Sequence, residues 1–377
     1  MEKIKMTAIS LFGIEGILAD ELRRMGAESV TADNGRVDFC GDFSLLARAN
    51  IGSRFAERIM INVGEFDALS FTDLFDGVKS LPWEDYIAVD AAFPVTGWSL
   101  NSKLHSIPDC QSIIKKAVVE RLKAKYGCTW FEETGAEHKI RFSILKDRVT
   151  LMLDTSGEGL HKRGYRKKGN DAPIKETLAA AMCDLARIYP DTQLFDTFCG
   201  SGTILIEAAM MATKTAPGLR RFFAAERFPF IPQSVWREER MRAQDNILHD
   251  VDFTATGFDI DPHAVELTLQ NAKKAGVSKY VKAFVGDVRD FKVPEGRSLI
   301  VTNPPYGERL LDIKAAEELY QIMGERFVKE NGKKYFVISP HDEFENFFGR
   351  TADKRRKLYN GMIKCQCYMY FKGNEKV

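Results

Sequence analysis

The 377-residue sequence predicts an α/β chain: two small α+β units first, then a mostly parallel sheet with helices on both faces. Three observations predict it. From residue 175 onward, strand-like and helix-like runs alternate, which is the pattern of a parallel sheet. Acidic residues stand at the carboxyl ends of successive predicted strands, the edge where open α/β sheets bind ligands. Before residue 158, hairpin signals and amphipathic runs are interleaved, as in α+β units.

The elements follow in order. IKMTAISL (4–11) reads as a strand, and EGILADELRRMGA (15–27) as a helix stopped at Gly26. VTADNGRVDFC (30–40) reads as a hairpin turning at Asn34-Gly35. Residues 43–66 read as a helix running into a strand. A helix and turn (73–87), a strand (91–99), a helix closed by Gly127 (110–127) and two strands about Lys146-Asp147 (138–157) make the second unit. GLHKRGYRKKGNDAPIKETL (159–178) is basic and glycine-dotted, and reads as a linker. Helix (175–189), strand (193–198), helix (204–212), strand (254–260), helix (263–276), strand (281–287), strand (298–303), helix (315–331) and strand (333–340) complete the alternation. Strand-like runs recur around 358–371. The connection over 213–253 is far longer than a simple crossover and carries Arg220, Arg221, Phe222, Phe223, Phe228, Phe230 and Trp236. It reads either as part of a substrate mouth or as a helical flap on its own small core.

Bulk composition excludes several classes. The net charge of +1 leaves nucleic-acid affinity to local basic patches. Seven cysteines with no CxxC spacing argue against a disulfide framework or a metal cluster, and fit a reducing compartment. MEKIKMTAIS lacks the apolar core of a signal peptide. No run approaches the ~18 apolar residues of a membrane span. The expectation is a cytoplasmic monomer with no membrane partner and no metal.

DTFCGSGT (196–203) lies between a strand and a helix, where glycines let a ligand approach the backbone. A dinucleotide fingerprint would need a third glycine where Leu205 stands. Asp196 repels a pyrophosphate but attracts an amine, which points to S-adenosylmethionine with its cationic amino-acid portion. In GFDIDP (257–262), Asp261 before Pro262 fits a helix N-cap, leaving Asp259 for ribose hydroxyls. Asp287 in GDVRD (286–290) ends the next strand and is placed to accept from an adenine amine.

A fourth strand, SLIVT (298–302), delivers Asn303-Pro304-Pro305-Tyr306 to the same edge. Two prolines remove two donors and stiffen the turn. An exocyclic amine on a base is a poor nucleophile because its lone pair is delocalised. The Asn303 side-chain oxygen and the Pro304 carbonyl form an acceptor pair that holds its two N–H groups and aims the lone pair at a methyl sulfonium. Fixed dipoles help most as charge grows on that nitrogen. Tyr306 is expected to stack on the base.

These stretches, with LHKRGYR (160–166), APIKETLAAA (172–181), DTFCGSGTILIEAA (196–209), GFDID (257–261), NPPYGERL (303–310) and GIEGILADEL (13–22), resemble the class I S-adenosylmethionine-dependent amino-methyltransferases. More narrowly, the chain is similar to the RNA guanine-N2 methyltransferases that carry an N-terminal THUMP domain. The resemblance covers nearly the whole chain. It implies a ferredoxin-like domain (1–59), a THUMP RNA-binding domain (60–157), a basic linker (158–174) and a Rossmann-like methyltransferase domain (175–377). It implies a cofactor site of Asp196, Thr197, Cys199, Gly200, Gly202, Thr203, Asp259, Ile260, Asp287 and Val288, and a catalytic turn of Asn303, Pro304, Pro305 and Tyr306. The implied product is N2-methylguanosine in 23S ribosomal RNA or the assembling large subunit, with transfer RNA as the rival substrate.

Lys162, Arg163, Arg166, Lys167 and Lys168 form the densest basic run and are the expected phosphate contacts. A base inside a helix would have to be flipped out to reach the turn. Competing readings are methylation of DNA adenine or protein glutamine, and a non-catalytic RNA-binding assembly factor.

Overall fold

The computed structural model describes residues 3–166, 174–307 and 313–373. It divides into two compact units: residues 1–10, 19–160 and 221–242 form the first, and 11–18, 161–220 and 243–377 the second.

The first unit is built on strands β1 (Ile4–Ser10), β2 (Glu28–Asp33), β3 (Arg36–Gly41), β4 (Ala56–Asp67), β5 (Val95–Leu100), β6 (Ile140–Leu145) and β7 (Arg148–Asp154). Among the described residues these make one sheet in the order β2-β3-β1-β4-β7-β6-β5. Only β5 and β6 pair in parallel. The helices met up to this point in the chain are α1 (Glu15–Arg24), α2 (Phe43–Gly52), α3 (Phe71–Ser80) and α4 (Ile107–Tyr126). Local chemistry explains the boundaries. Asp42 caps α2 by accepting from the Leu45 amide at 2.8 Å. Ser70 and Asp73 form a reciprocal capping box on α3. Lys146 and Asp147 both take positive φ in the two-residue turn joining β6 to β7. The expected division between residues 59 and 60 falls inside β4, which pairs with β1 on one side and β7 on the other.

The long connection belongs to this first unit from residue 221 to 242. Phe228 is fully buried and stacks on His138 at 4.1 Å between ring centroids. Trp236 stacks on Phe223 at 5.6 Å. Arg48 makes a two-point pair with Glu239. This corrects the reading of a flap on its own core: rings such as Phe228 pack into the first unit, while Phe222 stays 85% exposed.

The second unit holds α5 (Glu176–Ala186), β8 (Gln193–Asp196), α6 (Thr203–Ala212), β9 (Thr254–Asp259), α8 (Pro262–Ala275), β10 (Val281–Val285), β11 (Ser298–Thr302), α9 (Ile313–Arg326), β12 (Lys333–Ser339), α10 (Phe344–Phe348), β13 (Lys354–Asn360) and β14 (Ile363–Tyr370); α7 (Gln233–Asp245) lies on the long connection. The described strands order as β10-β9-β8-β11-β12-β14-β13. β8 to β12 run parallel; β14 is antiparallel to both β12 and β13. The chain builds outward from β8 through β9 and β10, then returns to place β11 on the other side of β8. That reversal opens a crevice at the carboxyl ends of β8 and β11. An aromatic core including Phe291, Tyr320, Phe327, Tyr335 and Phe344 packs beneath it. The C-terminal tail, read from sequence as loose strand runs, is a hairpin whose turn uses Gly361 at φ +65°.

Candidate active site

Asp196 ends β8 and is only 1% exposed. Its Oδ1 accepts from Thr302 Oγ1 at 2.6 Å and from the Phe198 amide at 3.1 Å. Burial pushes this carboxyl up to about 7, against the pull of Thr302 and Phe198 and with the push of neighbouring Asp259.

The turn after β8 is anchored to β9 and α8. The Gly200 amide donates to Asp259 Oδ2 at 2.9 Å, and the Cys199 amide to the Phe258 carbonyl at 3.0 Å. Thr268 Oγ1 donates to the Gly200 carbonyl at 2.8 Å, and Asn271 Nδ2 to the Ser201 carbonyl at 3.0 Å. Two glycines are required here for different reasons. Gly202 has φ +80°, and a Cβ there would lie 2.7 Å from Thr268 Cγ2. Gly200 has φ +51° with open space around it, so a ligand can lie against its backbone. Cys199 is buried, and burial first, then the nearby Asp196 and Asp259, lifts its thiol well above its usual value. It packs the loop and is no nucleophile.

Asp259 ends β9. Its Oδ1 accepts from the Asp261 amide at 3.0 Å. Each carboxylate oxygen thus has one lone pair engaged by backbone and one left for a ligand hydroxyl. Asp261 caps α8 by accepting from the His263 amide at 2.9 Å, with Pro262 in the first turn. Ile260 is 71% exposed and offers an apolar face beside Asp259. Asp287 accepts from the Arg289 amide and guanidinium, both at 2.8 Å. Burial raises its carboxyl, but these bonds outweigh it and leave it below its usual value. The Val288 side chain is buried in the core, which leaves only its backbone for a ligand.

The polar inventory fits a small nucleoside-type ligand. Thr197 Oγ1 and Ser201 Oγ are buried with no hydrogen-bond partner among the described residues. The same strand ends also offer an open glycine backbone at Gly200, a half-free carboxylate at Asp259 and an exposed apolar side chain at Ile260.

β11 ends at Thr302 and is followed by Asn303-Pro304-Pro305-Tyr306. The Tyr306 hydroxyl donates to Asn303 Oδ1. Asn360 Nδ2, from the end of β13, donates to the Tyr306 hydroxyl oxygen at 3.4 Å. The Tyr320 hydroxyl donates to the Pro305 carbonyl at 3.5 Å and accepts from Ser339 Oγ at 3.2 Å. Burial pushes the Tyr306 phenol well above its usual value, so it remains a donor.

Two expected phosphate contacts are corrected. Arg163 is 7% exposed and its Nε lies 3.5 Å from Glu207 Oε1 on α6, which also accepts from the Tyr165 hydroxyl at 3.1 Å. Arg166 Nη2 donates to the Ile174 carbonyl and to Thr203 Oγ1, both at 2.8 Å. An unpaired buried carboxylate on α6 would be costly, so the Arg163 guanidinium is turned inward to it, while Arg166 Nε lies 3.5 Å from Glu176 Oε1 on α5. Lys162 is exposed. Lys167 and Lys168 lie outside the described residues, as do Glu308, Arg309 and Leu310 of the NPPYGERL stretch and Ala172 and Pro173.

Sequence reasoning missed Thr302, Thr268, Asn271 and Asn360. Thr302 alone carried a signal, as the polar residue closing an apolar strand beside Asn303. The others meet the site only through the fold.

Comparison with known proteins places these features in a lineage. Family models match at residues 5–60 (RlmL ferredoxin-like domain), 68–154 (THUMP domain) and 163–369 (RMKL-like, methyltransferase domain). YpsC of Bacillus subtilis, provisionally named an RNA methyltransferase, is 42% identical over 98% of this chain and 97% of its own length. A ribosomal RNA large subunit methyltransferase K/L from Syntrophotalea carbinolica is 32% identical over 96% of this chain. The chain spans only 53% of that relative's length. Among solved structures, SMU.472, provisionally a methyltransferase and solved with SAH, superposes with a TM-score of 0.93 at 40% identity, covering 100% of both chains. With ferredoxin-like and THUMP domains ahead of it and a matched methyltransferase model over more than half its length, the chain belongs to the RMKL-like methyltransferase family.

Proposed function

We propose that this protein is an S-adenosylmethionine-dependent RNA methyltransferase that modifies the exocyclic N2 amine of a guanosine, with large-subunit ribosomal RNA as its substrate. One observation carries the reading: Asn303 and Pro304 follow β11 directly, and β11 is bonded through Thr302 to Asp196 at the β8 end of the donor loop. The acceptor pair and the donor loop therefore share one crevice. The SAH-bound relative supports the cofactor, and the K/L relative supports the RNA class.

When bound, S-adenosylmethionine supplies an electrophilic methyl on a sulfonium. Asp196 holds the cationic amine of the donor's amino-acid portion. Asp259 accepts from the ribose hydroxyls on its two unengaged lone pairs. Gly200 and Gly202 admit the donor to the backbone, and Thr197, Cys199 and Thr203 shape that turn. Ile260 and the Val288 backbone flank the adenine, and Asp287 accepts from its amine.

At the acceptor side, Asn303 Oδ1 and the Pro304 carbonyl each accept one N–H of the target amine. That leaves its lone pair directed at the methyl. As charge grows on nitrogen, the two fixed carbonyl dipoles stabilise it without reorganising. The stiff Pro304-Pro305 turn keeps their geometry, and Tyr306 supports the base. Most of the remaining barrier reduction is positioning. Residues 60–157 act as the THUMP grip on structured RNA, with Lys162, Lys167 and Lys168 as phosphate contacts.

The test is transfer of labelled methyl from S-adenosylmethionine to separate unmodified ribosomal and transfer RNA fractions, followed by nucleoside analysis. Labelled N2-methylguanosine in ribosomal RNA is expected. Label in transfer RNA alone, or in a nucleoside other than N2-methylguanosine, would overturn the substrate assignment.

A further inference from the structure

We infer that Asn360, on the C-terminal hairpin, is a positioning residue for methyl transfer that acts through Tyr306 on the Asn303 acceptor. The inference rests on the proposed role of Asn303. β13 lies antiparallel to β14, which is itself antiparallel to β12, so β13 runs in the same direction as the parallel strands. Its last residue, Asn360, therefore emerges at the sheet edge that carries Asn303.

The three side chains form a directed chain. Asn360 Nδ2 has only protons to give, and it gives one to the Tyr306 oxygen at 3.4 Å. Asn303 Oδ1 has no proton to give, so the Tyr306 phenol, which also neighbours the Cys365 thiol, donates its single proton to that oxygen. The primary amide of Asn303 is thereby fixed with its oxygen, not its NH2, toward the Tyr306 side. Without this bond, the amide can rotate by half a turn and present donors to an amine that itself needs acceptors. The relay leaves one Oδ1 lone pair for the substrate. It acts on orientation, so it should appear in turnover and not in donor binding.

The relay predicts a specific pattern of coupling. Asn360→Ala should lower kcat about tenfold, with donor affinity and KM for RNA unchanged. Asn360→Asp should be worse than Asn360→Ala, because a carboxylate accepts the Tyr306 proton and draws it away from Asn303. In a Tyr306→Phe background, Asn360→Ala should have no further effect, since the link is already cut.

A readout independent of turnover is the side-chain amide 15N–1H resonances of Asn303 and Asn360. Asn360→Ala should shift the Asn303 pair in wild-type chain and leave it unmoved in the Tyr306→Phe chain. Additive losses in the double variant, or an unmoved Asn303 pair, would overturn the relay and leave Asn360 a hairpin residue only. If no RNA accepts methyl from the wild type, the acceptor reading fails; the resonances still decide whether the relay exists.

Discussion

The hydroxyl of Thr302, the last residue of β11, donates to the carboxylate of Asp196, the last residue of β8, at 2.6 Å. Donor loop and acceptor turn are joined by this bond. Asp196 is buried, and its carboxyl sits at about 7. The proposed pairing with a donor ammonium needs the ionised form, so binding below that value must displace a proton. Donor affinity should be flat above about pH 8 and weaken by up to about tenfold per pH unit below 7. Calorimetry across pH 5.5–8.5 checks this, and Asp196→Asn should abolish the slope. The stability sign is opposite. A carboxyl raised in the folded state binds more protons than the unfolded chain, so ligand-free stability should fall as pH rises from about 4 through 7.

Asn303→Ala should leave donor binding intact and lower turnover by about 10²-fold or more, since the lost bond strengthens in the transition state. Single-turnover methyl transfer with saturating donor measures it. A wild-type rate would remove Asn303 from the mechanism.

Asp259→Ala should weaken donor affinity by about tenfold or more. It removes the proposed ribose acceptor and frees the Gly200 and Asp261 amides. Wild-type affinity by calorimetry would refute the assignment.

The two loop glycines should separate stability from binding. Gly202→Ala meets Thr268 at 2.7 Å with positive φ, and should destabilise the chain by about 1–3 kcal/mol in a denaturant titration. Gly200→Ala has room for its methyl, so it should carry only the positive-φ strain, about 1–2 kcal/mol, together with a loss of donor affinity.

Arg163→Ala should behave as a core lesion. It strands the fully buried Glu207, and the expected loss is about 3–5 kcal/mol. Lys162→Ala should leave stability unchanged and weaken RNA binding alone. Loss of RNA affinity without loss of stability in Arg163→Ala would restore it as a phosphate contact.

That contrast shows where sequence ceased to inform. Strand-ending acids and the Asn-Pro-Pro-Tyr turn were legible because strand periodicity and proline chemistry are local. The Asp261 cap was legible for the same reason. Arg163 and Arg166 read as phosphate contacts because their partners, Glu207 and Thr203, lie about forty residues away on α6. Nothing local distinguishes a charge facing water from one facing a buried carboxylate. The aromatic stretch at 221–242 misled similarly. Its Phe228 ring finds His138 and its Glu239 finds Arg48, partners that no periodicity inside the segment encodes. Thr268, Asn271 and Asn360 are silent in sequence because each meets the site through a different helix or strand.

That late-arriving stretch sets an order of events during synthesis. Residues 1–160 emerge from the ribosome without the rings that complete their packing, because Phe228 and Trp236 lie in the returning segment. At about 5–20 residues per second, some 80 further residues take roughly 4–16 s to make. During that interval the His138 surface has no cover from Phe228. A chain truncated within the basic linker would keep it bare permanently. Such a fragment should therefore aggregate, however complete its seven strands look on paper.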